Sequence, residues 1–261
     1  MKLFRRHYNT YAFIRFYNSP TFMTWFSFSA KSLSILVVLP LILSNFTKTE
    51  ISLWYLFNIL FGFQIIADLG FGSTFTRVIS YAMAGLDKLE NIGKPEEAVK
   101  KKAPNWSLIL ALNDKMGAVF FLISVFFIFF ITCISLIFLN GPIEKLENPS
   151  IGYALLGFIL MVLFAKVYSR RYISLISGVN EVALLRRWEG LIVYLQIISS
   201  IIVLITTSSF YYLVINNQAW VLVGIINTFF LQKRILNKNK KIYQNNFKII
   251  KISKKDFLEY I

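Results

Sequence analysis

Six apolar runs, each about as long as a bilayer crossing requires, alternate with short polar connections along this chain. They extend from Phe22 to Ser44, Ile51 to Ala84, Met116 to Leu139, Ile151 to Ser177, Trp188 to Thr207 and Phe210 to Leu231. Each predicts a helix, because a helix satisfies its own backbone within hydrocarbon. The expected fold class is all-α: a polytopic membrane protein with a lobe of about six transmembrane helices over residues 1–231 and a basic cytoplasmic tail over 232–261.

The polar connections fix an orientation. The amino terminus carries Lys2, Arg5, Arg6 and Arg15, and the run that follows is too long for a signal-peptide core and lacks a small-residue cleavage site. It reads as an uncleaved first helix that starts inside. Alternating the loops then places Lys88, Lys94, Lys100, Lys101, Lys102, Lys115, Arg186, Arg187, Lys233, Arg234, Lys238, Lys240 and Lys241 on the cytoplasmic side, with Lys48 and Lys145 outside. Both termini are expected in the cytoplasm. The loop from Leu86 to Asp114 reads as a solvated connector or as a short surface helix between Pro95 and Pro104, and Gly141-Pro142 and Asn148-Pro149 mark an outer turn.

Composition narrows the function classes. Of 261 residues, 56% are hydrophobic and 17% aromatic, and the mean hydropathy is +0.60, well above a soluble domain. The formal charge of +15 sits beside apolar runs rather than on a soluble face, which points to membrane lipid as the anionic partner and away from nucleic acid. The lone Cys133 excludes an internal disulfide framework, and His7 reads as a solvated terminal residue. With no cysteine pair, no second histidine, no phosphate-binding glycine loop and no paired carboxylates at catalytic spacing, no enzyme constellation, metal site or cofactor is expected.

Ionisable residues inside the apolar runs are costly and therefore informative. Lys31 lies roughly 13 Å from the cytoplasmic edge of the first run. Thr24, Ser27, Lys31 and Ser34 share one helical stripe, so Lys31 either lines a watery cavity or pairs with a carboxylate that joins two helices. The second run, at 34 residues, is about 50 Å long as one helix, and Gly70 and Gly72 mark a bend. Gln64 and Asp68 share a face there, whereas Asp68 and Arg77 are nine residues apart and point opposite ways. Arg77 lies roughly 10 Å deep, level with Lys31, as a second cavity cation or as a side chain snorkelling to the interface. Lys166, Arg170 and Arg171 read as an interfacial anchor near Tyr168, Tyr172 and Trp188, and Glu181 and Glu189 read as structural partners of Arg186 and Arg187.

The run Phe61-Gly62, Asp68-Leu69-Gly70-Phe71-Gly72 and closing Arg77 resembles the second helix of polysaccharide and O-antigen flippases, the oligosaccharidyl-lipid exporters of the MATE-like superfamily. The basic amino terminus, the serine-rich first helix with its lysine and the charged loops are similar to the amino-terminal lobe of such a transporter. The stretch Phe247 to Ile261 is similar to the linker leading to a second lobe, which implies a truncated or split product or a pairing of two copies. The resemblance implies a site in the bacterial inner membrane and export of undecaprenyl-diphosphate-linked oligosaccharide for O-antigen, capsule or another surface glycan. By the same analogy Lys31 and Arg77 contact the diphosphate, Asp68 with Gln64 serves coupling or conformational change, and Gly70 with Gly72 forms the hinge. A drug or metabolite exporter of the same superfamily and a non-transporting membrane scaffold are the alternatives.

Overall fold

The structure is a computed structural model that describes residues 16–85 and 103–243. The amino-terminal cations and His7, the loop from Leu86 through Lys102 and the linker-like stretch from Phe247 lie outside the described residues. All regular structure among the described residues is helical: α1 (Pro20–Asn45), α2 (Lys48–Ala67), α3 (Phe71–Met83), α4 (Trp106–Glu144), α5 (Pro149–Tyr168), α6 (Arg170–Gly178), α7 (Val182–Thr206) and α8 (Phe210–Tyr243). Taking α5 and α6 as one interrupted span, six helices among the described residues are long and apolar enough to cross a membrane. The chain is thus an all-α polytopic membrane protein. Side chains pointing outward agree: Phe126 and Ile137 are 72% and 73% exposed, and Trp25, Leu36, Phe129 and Ile205 are exposed with them. In water such a surface would aggregate, whereas in lipid it is matched to its solvent.

Local chemistry fixes the helix ends. Ser19 caps α1 through its hydroxyl and Pro20 opens it, a position where the missing N–H costs nothing. Thr47 and Glu50 form a reciprocal capping box at the start of α2. Asn105 accepts from the Leu108 N–H at 3.0 Å, so α4 begins at Trp106, ten residues before the apolar run at Met116. Trp106, Leu108, Ile109 and Leu112 are buried there against α3 and α6, and this packing makes helix out of residues that polarity alone assigns to the loop. Gly141-Pro142 also differs from expectation, since α4 continues through it to Glu144. Ile143 is fully buried among residues of α2 and α5, and the turn falls later, at Lys145 to Asn148. At the other end α8 runs twelve residues past Leu231, with Ile235 buried on the α3/α4/α6 core and Gln232 hydrogen-bonded to Asn113.

Three clusters build the interior. Phe75, Ile79, Met116, Phe120 and Leu175 join α3, α4 and α6. Leu53, Phe57, Ile131, Leu155 and Ile159 join α2, α4 and α5. Val38, Ile42, Ile197, Leu204 and Leu213 join α1, α7 and the start of α8. The main packing partner of α1 is α7, whereas α2 packs on α4 and α5, and a gap lined by polar residues lies between these groups.

Helices α3 and α6 pack closely. Thr76 Oγ1 donates to the Ser174 carbonyl at 3.3 Å, and Ser80 Oγ donates to the Gly178 carbonyl at 3.2 Å. A Cβ on Gly178 would lie 2.6 Å from Ile79 Cβ and 3.0 Å from the Thr76 carbonyl oxygen, contacts that backbone and branched side chains cannot yield. Replacing Gly178 by alanine is therefore expected to lower stability by about 1–3 kcal/mol through overpacking. Thermal unfolding in detergent micelles checks this against Gly157→Ala, where the added methyl meets nothing within 4 Å and the midpoint is expected to hold or rise.

Candidate functional site

Two helix interruptions meet beside the gap. Between α2 and α3 the backbone turns left-handed at Leu69 (φ 44°) and Gly70 (φ 81°); the second position suits glycine, which has no Cβ to clash. Between α5 and α6 the interruption falls at Ser169. The groups freed by the first break are taken up by Asp68, whose Oδ1 accepts from the Gly72 N–H at 3.0 Å at the start of α3. Oδ2 of the same carboxylate accepts from Arg170 Nη2, also at 3.0 Å, so a single side chain joins the two breaks. Asp68 is only 8% exposed, and the helix amino terminus and guanidinium together compensate its charge.

The gap holds a cavity of about 350 Å³. Four cations line it: Lys31 from α1, Lys166 from α5, Arg170 from α6 and Arg186 from α7. Glu189 on α7 is the single carboxylate in the lining among the described residues, accompanied by Gln64, Gln196, Trp220, Asn227 and Thr228. Its Oε1 accepts from Lys31 Nζ at 2.7 Å, while Oε2 accepts from Arg186 Nη1 at 2.7 Å and from Ser27 Oγ at 3.0 Å. Lys166, half-buried on the same wall, has no hydrogen bond or ion pair among the described residues. The lining thus carries four positive charges against one negative, a formal excess of +3, or +2 if Asp68 behind Arg170 is counted. Such an excess among spanning helices favours an anion or water close by.

Lys31 meets both readings of its position, since it lines the cavity and is bound to a carboxylate. Gln64 lines the same cavity and Asp68 lies behind it, as their shared face requires. Arg77 is not in the lining of this cavity: it lies exposed on α3, so Lys31 and Arg77 do not meet there. The break falls at Leu69 and Gly70, whereas Gly72 is helical. Its lack of a side chain makes room for the Asp68 carboxylate, which a Cβ would meet at 2.6 Å. The expectation that Lys166 and Arg170 act as an interfacial anchor is corrected, because both turn into the cavity. Arg171 takes the aromatic partners instead, 4.6 Å over Tyr168 and 4.8 Å over Tyr172. Glu189 does bind Arg186, as expected, but shares itself with Lys31. Arg187 donates to the Tyr17 carbonyl at 2.7 Å.

Comparison with family models, with curated proteins and with solved structures finds no match for this chain. The geometry therefore carries the functional argument. Sequence reasoning missed Lys166 and Glu189 as cavity residues, together with Gln196 and Asn227. For Gln196 the available signal was an amide in an otherwise apolar run, seven residues from Glu189 and so on the same face of its helix.

Glu189 has three donors and Lys31 one acceptor, which sets an order of effects. Glu189→Gln is expected to destabilise the protein by about 1–3 kcal/mol, by leaving Lys31 and Arg186 without their counter-charge. Lys31→Met should cost less, because the carboxylate keeps Arg186 and Ser27. A double-mutant cycle by thermal unfolding in detergent measures both, and equal single effects would contradict the shared-carboxylate geometry.

Proposed function

We propose that this chain forms a transport lobe that carries a polyprenyl-diphosphate-linked oligosaccharide across a bacterial inner membrane for surface glycan assembly. The carrying observation is the cavity among the spanning helices, with cations in excess in its lining and Lys166 making no hydrogen bond or ion pair among the described residues. A lipid diphosphate brings two or more negative charges into a region of low dielectric and requires compensating donors there. Arginine offers a planar fork for phosphate oxygens and lysine a mobile point charge, and Arg170 and Lys166 lie one turn apart on the same wall. The similarity of the Phe61 to Arg77 run to flippase second helices favours this substrate over other anionic amphiphiles.

In this reading the diphosphate engages Lys166 first, since that ammonium gives up no existing ion pair. Arg170 can then turn from Asp68 towards phosphate, which releases the carboxylate that joins the two helix breaks. Substrate occupancy and the geometry of the α2/α3 and α5/α6 breaks are coupled through that exchange. Breaks of this kind are where repeat-built transporters place both substrate contact and motion. Arg77 has no contact role in the scheme.

The test is translocation of a tagged polyprenyl-diphosphate oligosaccharide in proteoliposomes. Lys166→Gln is expected to lower the rate at least tenfold with the fold intact, and Arg77→Gln to leave it within about twofold of the parent. The opposite ranking, or equal activity of parent and Lys166→Gln, overturns the proposal.

A further inference from the structure

A second cavity, of about 390 Å³, adjoins the cationic one, and Gln196 lines both. Its position along the bundle follows from four helices. On α7, Gln196 lies seven residues beyond Glu189, and on α1, Val38 lies seven beyond Lys31. On α2 and α8, which run the other way, Asn58 precedes Gln64 by six residues and Asn217 precedes Gly224 by seven. At 1.5 Å per residue all four place the second cavity roughly 10 Å nearer the α1–α2 and α7–α8 turns. Its volume is within the ~300–1,000 Å³ typical of small-molecule sites.

The chemistry changes completely over that distance. Among the described residues no Asp, Glu, Lys or Arg lines the second cavity; its polar members are amides and hydroxyls, and two aromatic rings, Trp54 and Tyr55, border it. Internal pairing uses only part of this capacity. The Gln196 amide donates to the Asn217 carbonyl, Asn216 Nδ2 donates to Ser200 Oγ at 3.1 Å, and Asn58 Nδ2 donates to the Trp54 carbonyl at 2.7 Å. Gln196 Oε1, Asn217 Nδ2 and Asn58 Oδ1 have no hydrogen bond among the described residues. Helix pairing thus leaves amide groups unused on three residues that line this cavity, of which Asn58 is exposed.

We infer that this cavity is a subsite for an uncharged sugar residue, placed to receive the glycan while its diphosphate occupies the cationic cavity. Sugar hydroxyls are donors and acceptors at once, which suits a lining that offers both, and the C–H face of a pyranose lies against aromatic rings. A uronic acid would bring a carboxylate to a lining with no cation. The inference rests on the diphosphate reading given above and adds which part of the substrate meets which residues.

The experiment is binding of two probes to the full chain in lipid nanodiscs: farnesyl diphosphate, and the same compound carrying one N-acetylglucosamine on its diphosphate. The parent protein is expected to bind the sugar-bearing probe about tenfold more tightly, the worth of two hydrogen bonds. Asn58→Ala and Asn217→Ala should remove that increment and leave the affinity for farnesyl diphosphate unchanged, with thermal midpoints reporting that each variant is folded. A glucuronic acid probe should bind no better than farnesyl diphosphate. Equal affinity of the parent for both main probes, or loss of farnesyl diphosphate binding in the folded Asn58→Ala protein, overturns the sugar subsite and leaves the diphosphate reading standing. Failure of the parent to bind either main probe overturns both.

Discussion

Hydrocarbon offers a buried polar group no partner, so each departure from continuous apolar helix in this protein must be satisfied by the protein itself. Asp68 shows how far one side chain can meet that demand. Where α2 ends and the backbone turns left-handed, its carboxylate accepts the first free N–H of α3 and, through its other oxygen, the Arg170 guanidinium at the start of α6. Two breaks that would each expose backbone are thereby held against one another, and Gly72 supplies the space without which the carboxylate could not close over the helix end.

The same constraint shapes the cavity. Glu189 gathers Ser27, Lys31 and Arg186, which ties α1 to α7 and neutralises part of the charge that α1 carries into the membrane. The neutralisation stops short. Lys166 and the surplus over Glu189 and Asp68 leave a positive region enclosed by helices, while the adjoining cavity is lined with neutral amides and aromatic rings. A gradient from charge to neutral polarity over about two helical turns suits a ligand whose own polarity changes over that length. Next to the breaks, α3 and α6 are held in close contact at Gly178, where no added methyl fits and two hydroxyls bond across.

Helix number and class were legible because hydropathy acts on long windows and does not depend on what each helix touches. The break was legible at Gly70 for a local reason, the positive φ that glycine allows. Boundaries failed where packing outweighed polarity. The first ten residues of α4 and the last turns of α8 are helical because Ile109, Leu112 and Ile235 bury against α3 and α6, contacts with segments that are distant in sequence. Gly141-Pro142 reads locally as a turn and stays helical because Ile143 is anchored in the core.

Cation partnership divides along the same line. Depth within a run is a property of spacing alone, so the sequence determined that Lys31 sits within the membrane and that it shares a stripe with Ser27. It could not determine that Glu189, 158 residues away, would hold Lys31. Nor could it determine that Lys166 faces inward beside Arg170, or that Arg77, at comparable depth, lies outside the cavity. Periodicity defines faces on one helix, whereas which faces meet depends on how all the helices pack, and only the tertiary structure decided that.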